Sequence, residues 1–248
     1  MAIEAGTSTY YQAKRGIVQD GLVLHLDAGV KESYSGGTTW RDLGLSKKNA
    51  SLINGPLFIK ERGGGIVFDG VNDKVQVSNF FLDPDDFTIS SFYMSDFTYG
   101  APSRRPIFGM YFSLSSVSNI IWLGPAYNHQ YIEASVAYNY PAGSTNTINR
   151  QTHIGGSYKK TNHLAMSYSF SSKTLKLYRN GSLINSGTNN NMFAHNAIPT
   201  FTFQLGEYNG TTGILFHGNM YNFSVYNRQI SDNEVAQIYN STRHRFGL

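Results

Sequence analysis

Along most of this chain apolar and polar positions alternate with a period of two. Leu22, Leu24 and Leu26 alternate with Val23, His25 and Asp27, a run that ends in an Asp-Ala-Gly turn. Phe87, Ile89 and Ser91 repeat the pattern, as do Phe201, Phe203 and Leu205. Leu164, Met166, Tyr168 and Phe170 share one face of a further run, and Leu175 and Leu177 belong to the next. Ile66 to Phe68, Val75 and Val77, Ile107 to Leu114, and Ile120 to Leu123 add shorter strand signals. Such alternation describes strands with one face packed. Between the runs stand turn formers: Asp83-Pro84-Asp85-Asp86 stops one strand and starts another, and Asn180-Gly181 is a hairpin signal because both residues tolerate positive φ. Roughly a dozen short strands in this spacing predict an antiparallel, two-sheet β-sandwich. No internal repeat is visible.

The period changes once. Tyr221, Phe223 and Val225 alternate with Asn222, Ser224 and Tyr226, the pattern of a half-buried strand, and Ser231 and Glu234 then sit at capping-box spacing. Val235, Ile238 and Tyr239 follow at helical spacing, so a short C-terminal helix can dock one face on the sheet. Residues 1–20 are short of large aliphatic residues and read as an extended N-terminal arm, with the domain running from 21 to 241 and a tail over 242–248. The stretch from Ser33 to Pro56 reads as turn-rich. Residues 124–162 are the least regular and read as long loops around a strand near Tyr131–Tyr138.

Composition narrows the function classes. Of the 248 residues 15% are charged and 14% aromatic, with 17 Tyr and 16 Phe, which suits strands and turns. There is no cysteine, so disulfides, thiol catalysis and thiolate metal sites are excluded. The net charge of +4 comes from scattered doublets such as Lys14–Arg15 and Arg104–Arg105. A nucleic-acid groove would cluster its bases on one face among aromatics, so no nucleic-acid partner is expected. The N-terminal residues lack the apolar core of a signal peptide, and no run has the length of a membrane span; synthesis in a cytoplasm without membrane insertion is expected.

Five segments in order, GLVLHLDAG (21–29), GGIVFDGVNDKVQV (64–77), FTISSFY (87–93), HLAMSYSFSSKTLKLYRNGSLI (163–184) and FHGNMYNFSVYNRQISDNEVAQIYN (216–240), resemble the laminin-G-like, concanavalin A-like lectin/glucanase jelly rolls. The opening, with Tyr34 and Thr39-Trp40-Arg41-Asp42-Leu43 after it, is similar to the versions found in tailed-bacteriophage virion proteins. The resemblance implies two antiparallel sheets packed face to face, one of them concave. It leaves function open, because such folds serve enzymes, lectins and structural modules.

The glycan-cleaving members carry paired carboxylates in a Glu-x-Asp-x-x-Glu run on one strand face, one as nucleophile and one as acid. This chain has no such run. Asp83, Asp85 and Asp86 lie in a turn, and Glu133 stands alone on its strand. There is no Gly-x-Ser-x-Gly elbow, no metal-binding histidine spacing and no phosphate loop. No catalytic residues are therefore assigned, and the expectation is a protein that is not an enzyme.

Two binding sites are conceivable. Asp69, Asn72 and Asp73 offer oxygens to a calcium ion, against the plainer reading of a hairpin turn bonded to its own backbone. Tyr127, Asn128, His129, Tyr138, Tyr140 and Tyr158, with Trp122, could stack on and hydrogen-bond a glycan. The plainer reading places Trp122 in the core and the tyrosines at subunit contacts, and protein contact ranks above sugar binding. The resulting expectation is a non-enzymatic virion structural protein, a capsid decoration protein on the assembled shell. It would be a homo-oligomer whose partner is the major capsid protein or another virion protein. Tyr10, Tyr11, Lys14 and Arg15 of the arm, and Arg243, Arg245 and Phe246 of the tail, would be its contacts. A host-glycan-binding lectin on a tail or fibre is the alternative, and a glycoside hydrolase the third reading.

Overall fold

The computed structural model describes residues 16–80, 82, 85–96, 105–114, 117–126, 130–138, 146–155, 159–192, 201–207 and 214–248. The alternating segments become strands: β1 (Leu22–Asp27), β2 (Thr39–Trp40), β3 (Ala50–Ile53), β4 (Leu57–Ile59), β5 (Gly65–Asp69), β6 (Lys74–Phe80), β7 (Asp86–Ser95) and β8 (Phe108–Leu114). The series continues with β9 (Val117–Ala126), β10 (Tyr131–Tyr138), β11 (Asn146–His153), β12 (Thr161–Ser169), β13 (Thr174–Arg179), β14 (Ser182–Thr188), β15 (Phe201–Leu205) and β16 (His217–Tyr226). One α-helix, α1 (Asp232–Thr242), follows. The described strands form two eight-stranded sheets. Sheet A runs β14-β13-β12-β7-β16-β5-β4, with β1 also on β16, and sheet B runs β11-β10-β9-β8-β15-β6-β3-β2. Every pairing is antiparallel. This is the β-sandwich with one C-terminal helix that the sequence predicts.

The inward faces supply one continuous core. Ile89, Leu164, Met166, Leu175, Leu177, Phe223 and Val225 of sheet A meet Val75, Val77, Phe108, Ile121, Leu123, Ile132 and Phe203 of sheet B. Phe108 and Phe203 stack at 4.6 Å between ring centroids, and both pack against Phe223 across the sandwich. Asn180 and Gly181 have φ of 49° and 78°, the left-handed pair that closes the β13–β14 hairpin.

Three segments differ from the sequence reading. The stretch 33–56 contributes strands β2 and β3, organised by Asp42. This buried carboxylate accepts from the backbone N–H of His25 and Gly44 through one oxygen, and from Ser46 Oγ and Lys48 N–H through the other. The region read as loops holds the edge strand β11. Its inward positions are Ile148, Arg150 and Thr152, and the two polar ones conceal the apolar alternation. Strand β16 is buried on both faces rather than one.

That last difference has a visible cause. Helix α1 and the tail cover the outer face of sheet A. Ile17, Val18, Leu22, Ala165, Tyr178, Tyr226, Ile230, Val235 and Ile238 form a second apolar cluster. Ser231 caps α1 by accepting from Glu234 N–H, while the Glu234 carboxylate accepts from Ser231 N–H. The end of the predicted arm belongs to this cluster, because Ile17 and Val18 are buried and Tyr226 Oη donates to the Val18 carbonyl at 3.2 Å. Among the described residues no helix is long and apolar enough to cross a membrane.

Candidate functional site

The alternation along β10 separates two faces. Ile132, Ala134 and Val136 enter the core, so Tyr131, Glu133 and Ser135 point away from it on the outer face of sheet B. The register places Gln151 opposite Glu133, Asn149 opposite Ser135, and His153 opposite Tyr131. On the other side Ser135 faces Trp122 and Glu133 faces Gly124 of β9. One polar and aromatic surface thus runs across β9, β10 and β11.

Glu133 lies at its centre and is 1% exposed. Its two carboxylate oxygens accept from the side-chain amides of Asn149 and Gln151, the latter at 2.9 Å. A buried carboxylate is tolerated only when hydrogen-bonded in this way. Trp122 is buried beside this row, 3% exposed, and stays outside the core between the sheets. At one end Tyr131 and the exposed His153 meet edge to face at 5.1 Å. Gly124 has no side chain, and a Cβ there would lie 2.4 Å from the Arg105 carbonyl, so the segment leading into β8, bonded to Leu123 and Pro125 on either side, packs closely against it. The surface therefore grades from accessible rings to an enclosed carboxylate fixed by amides.

Two-carboxylate glycoside hydrolysis needs a second acid facing the first. Among the described residues Glu133 is the single acidic residue in the strands of sheet B. Asn149 and Gln151, which bond it, are amides, which donate to and accept from hydroxyls but do not act as the paired acid.

The other predicted sites fall out differently. Asp69 Oδ1 accepts from the N–H of Val71, Asn72 and Asp73, and Asp73 Oδ2 accepts from Asp69 N–H. Burial alone would raise the Asp69 pKa; the three N–H donors and nearby His217 outweigh it and lower it. Asp73 is raised by its burial. The Asn72 carbonyl accepts from the Asn54 amide. These carboxylates brace a hairpin turn and do not converge on a cation. Among the described residues no three His, Asp or Glu side chains gather that could hold a metal ion.

In the tail, Arg245 forks both carboxylate oxygens of buried Asp27, at 2.9 and 2.7 Å, and also donates to the Gly63 carbonyl. Phe246 stacks on Phe92 at 4.9 Å and tilts against Tyr221 at 4.8 Å. Both are half-buried and engaged inside the chain. Arg243 lies over the Tyr239 ring and is exposed. Tyr10, Tyr11, Lys14, Arg15, Tyr127, Asn128, His129, Tyr140 and Tyr158 lie outside the described residues. Tyr138 is placed as the last residue of β10 only.

Sequence reasoning found Trp122 and saw Glu133 as isolated. It missed Asn149, Gln151 and His153, although Thr147, Asn149, Gln151 and His153 recur at every second position. That polar alternation was the available signal.

A model of the concanavalin A-like lectin/glucanase superfamily matches residues 69–236, more than half of the chain. The chain belongs to this superfamily. No curated protein matches it by sequence. Among solved structures it is similar to the binding domain of Paraclostridial Mosquitocidal Protein 1, with TM-score 0.67, 16% identity, and coverage of 90% of this chain and 52% of that one. It is also similar to the botulinum neurotoxin serotype D binding domain, with TM-score 0.62, 12% identity and coverage of 90% and 52%. A third is Trypanosoma rangeli sialidase in complex with sialic acid, with TM-score 0.62, 15% identity and coverage of 98% and 39%. The chain spans about half the length of the first two and less of the third. At these identities the superfamily likeness is one of fold.

Proposed function

We propose that this concanavalin A-like domain is a non-catalytic recognition module whose outer sheet B face takes a polyhydroxylated ligand, a glycan. The observation that carries the reading is Glu133, a buried carboxylate fixed by two side-chain amides beside Trp122, with Tyr131 and His153 leading in from the surface. Rings cover the C–H faces of sugars, while carboxylate and amide groups order their hydroxyls. The order of the two sequence-based expectations thereby reverses, since the built polar surface favours a glycan over a protein partner. That solved relatives in fold are called binding domains, and that one holds sialic acid, agrees with this reading.

The test is a glycan-array screen of the full chain followed by titration of the best saccharide against Tyr131→Ala and His153→Ala. Each variant should lose about tenfold in affinity, the worth of one good contact, with an unchanged melting temperature. Absence of any bound glycan, or variants that bind like the parent, would overturn the proposal.

The capsid decoration reading has one structural feature in its favour. Strand β4 pairs only with β5 among the described residues, and Leu57 and Phe58 on it are exposed at 69% and 39%. An apolar, unblocked edge strand is suited to a protein neighbour. Copy number in purified virions, measured by mass spectrometry against the major capsid protein, separates the readings: hundreds of copies support decoration, a handful support a tail or fibre adhesin, and none removes the virion setting.

A further inference from the structure

The edge strands of the two sheets meet along one side of the sandwich. Arg150 of β11 follows Ile148 at a spacing of two, and Ile148 is buried in the core, so Arg150 also points between the sheets. Opposite it on β14 are Asn185 and Gly187, paired with the core residues Leu177 and Leu175 and facing the same way. The Asn185 amide donates to the Gln151 carbonyl at 2.8 Å and to Thr152 Oγ1 at 3.3 Å, and the Asn189 amide donates to the Thr147 carbonyl at 3.3 Å. These two stitches hold β11 on either side of Arg150.

The guanidinium fits because residue 187 is glycine. A Cβ there would lie 2.0 Å from Arg150 Cζ, 2.0 Å from Nη2 and 2.1 Å from Nε. Three nearly equal distances mean that the guanidinium presents its flat face to Gly187. Nε is buried and has no hydrogen-bond partner. Among the described residues no carboxylate pairs with Arg150, whereas Arg228 is paired with Glu234 and Asp20, and Arg245 with Asp27. A partly buried cation held in one orientation without an acceptor is poorly compensated. Its planar fork of donors matches an oxyanion.

We propose that Arg150, laid over Gly187 where β11 meets β14, is a binding site for an oxyanion carried by a ligand, a carboxylate or a sulfate group. The side chain points away from the Glu133 face, so the site is separate from the one proposed for glycan hydroxyls, and it binds the acidic group without needing that face filled.

The experiment follows the Nε–Hε resonance of Arg150 in the full chain, assigned through its loss in Arg150→Gln, during titration at constant ionic strength. The probes are sodium glucuronate, sodium sulfate and neutral glucose. Glucuronate, sulfate or both should shift the resonance saturably at millimolar concentration, and glucose should not. Response to glucuronate alone supports a carboxylate site, response to sulfate alone a tetrahedral-oxyanion site, and response to both a general one. Arg150→Gln should keep its melting temperature and lose anion binding measured by calorimetry. Arg150→Lys should bind about fivefold more weakly, because an ammonium keeps the charge without the fork. A resonance unmoved by either anion, or unchanged anion affinity in Arg150→Gln, would overturn the proposal. Because the probes are free ions and a simple sugar acid, this outcome is independent of whether the outer face binds a glycan.

Discussion

The two outer faces of the sandwich differ in what they bury. On sheet A, Phe92, Tyr221, Tyr226 and Tyr178 lie beneath α1, the tail and the end of the arm, and the face is closed by the chain itself. On sheet B, the corresponding layer is made of Glu133, Asn149, Gln151, Trp122, Tyr131 and His153. Aromatic rings on the first face meet other rings of the same chain and act as structure. Rings and amides on the second surround a carboxylate and, under the proposed function, act on a ligand. Side-chain type alone does not separate the two uses of an aromatic residue: Trp122 and Glu133 are as buried as the sheet A rings, and Tyr131 and His153 are what reach the surface.

The comparison is broken most severely at the tail. Arg245→Ala leaves buried Asp27 without its ion partner, and should cost about 3 kcal/mol in urea unfolding. A loss under about 0.5 kcal/mol, the scale of an ordinary surface change, would mean that the tail is not a structural lid.

Acid tests the same face. His163 is fully buried under the lid, its Nε2 on Ser90 Oγ at 2.8 Å and its Nδ1 without a partner, and burial pushes its pKa down from 6.5 to about 3. The folded state therefore holds the neutral ring, and protonation favours unfolding. Stability should be unaffected by this group above pH 6.5 and fall by up to roughly 1.4 kcal/mol per pH unit between 6.5 and about 3. Glu234 adds to the loss at lower pH. The hydrogen bond from Arg228 holds its carboxyl down at about 2 against 4.5, so its contribution is present above 4.5 and disappears as pH drops toward 2. His163→Gln should flatten the upper part of the acid slope; an unchanged slope would place the sensitivity elsewhere.

On sheet B the expected stability effects are smaller and the binding effects larger. Glu133→Gln sets an amide against two amides, and should cost about 1–2 kcal/mol while abolishing saccharide binding. Full affinity in that variant would separate Glu133 from the ligand. The double change Tyr131→Ala with His153→Ala should alter stability by less than about 0.5 kcal/mol. A larger loss would show that this end of the surface is structural, as on sheet A.

Much of the fold was readable in one dimension. The alternation at Leu22–Leu26, Phe87–Ile89, Leu164–Tyr168 and Phe201–Leu205 names strands, Asn180-Gly181 names the hairpin, and Ser231 with Glu234 names the helix start, because each of these depends on neighbours within a few residues. Acidic and arginine side chains were less readable. Asp69 and Asp73 show the same letters as a cation loop, and only their hydrogen bonds reveal a self-bonded turn. Arg245 looks like a surface charge until Asp27, far away in sequence, is seen to hold it.

The sequence by itself determined the strand period, the sandwich class, the absence of thiol chemistry and the absence of a paired-acid run. Those properties are local or compositional. Tertiary structure alone decided what lies against each sheet face, that Glu133 is enclosed by Asn149 and Gln151, and that Arg150 lies on Gly187 with no carboxylate paired to it among the described residues. The physical reason is that burial and charge pairing are set by strands brought together across long sequence separations, and a period-two pattern fixes two faces without saying what will lie against either.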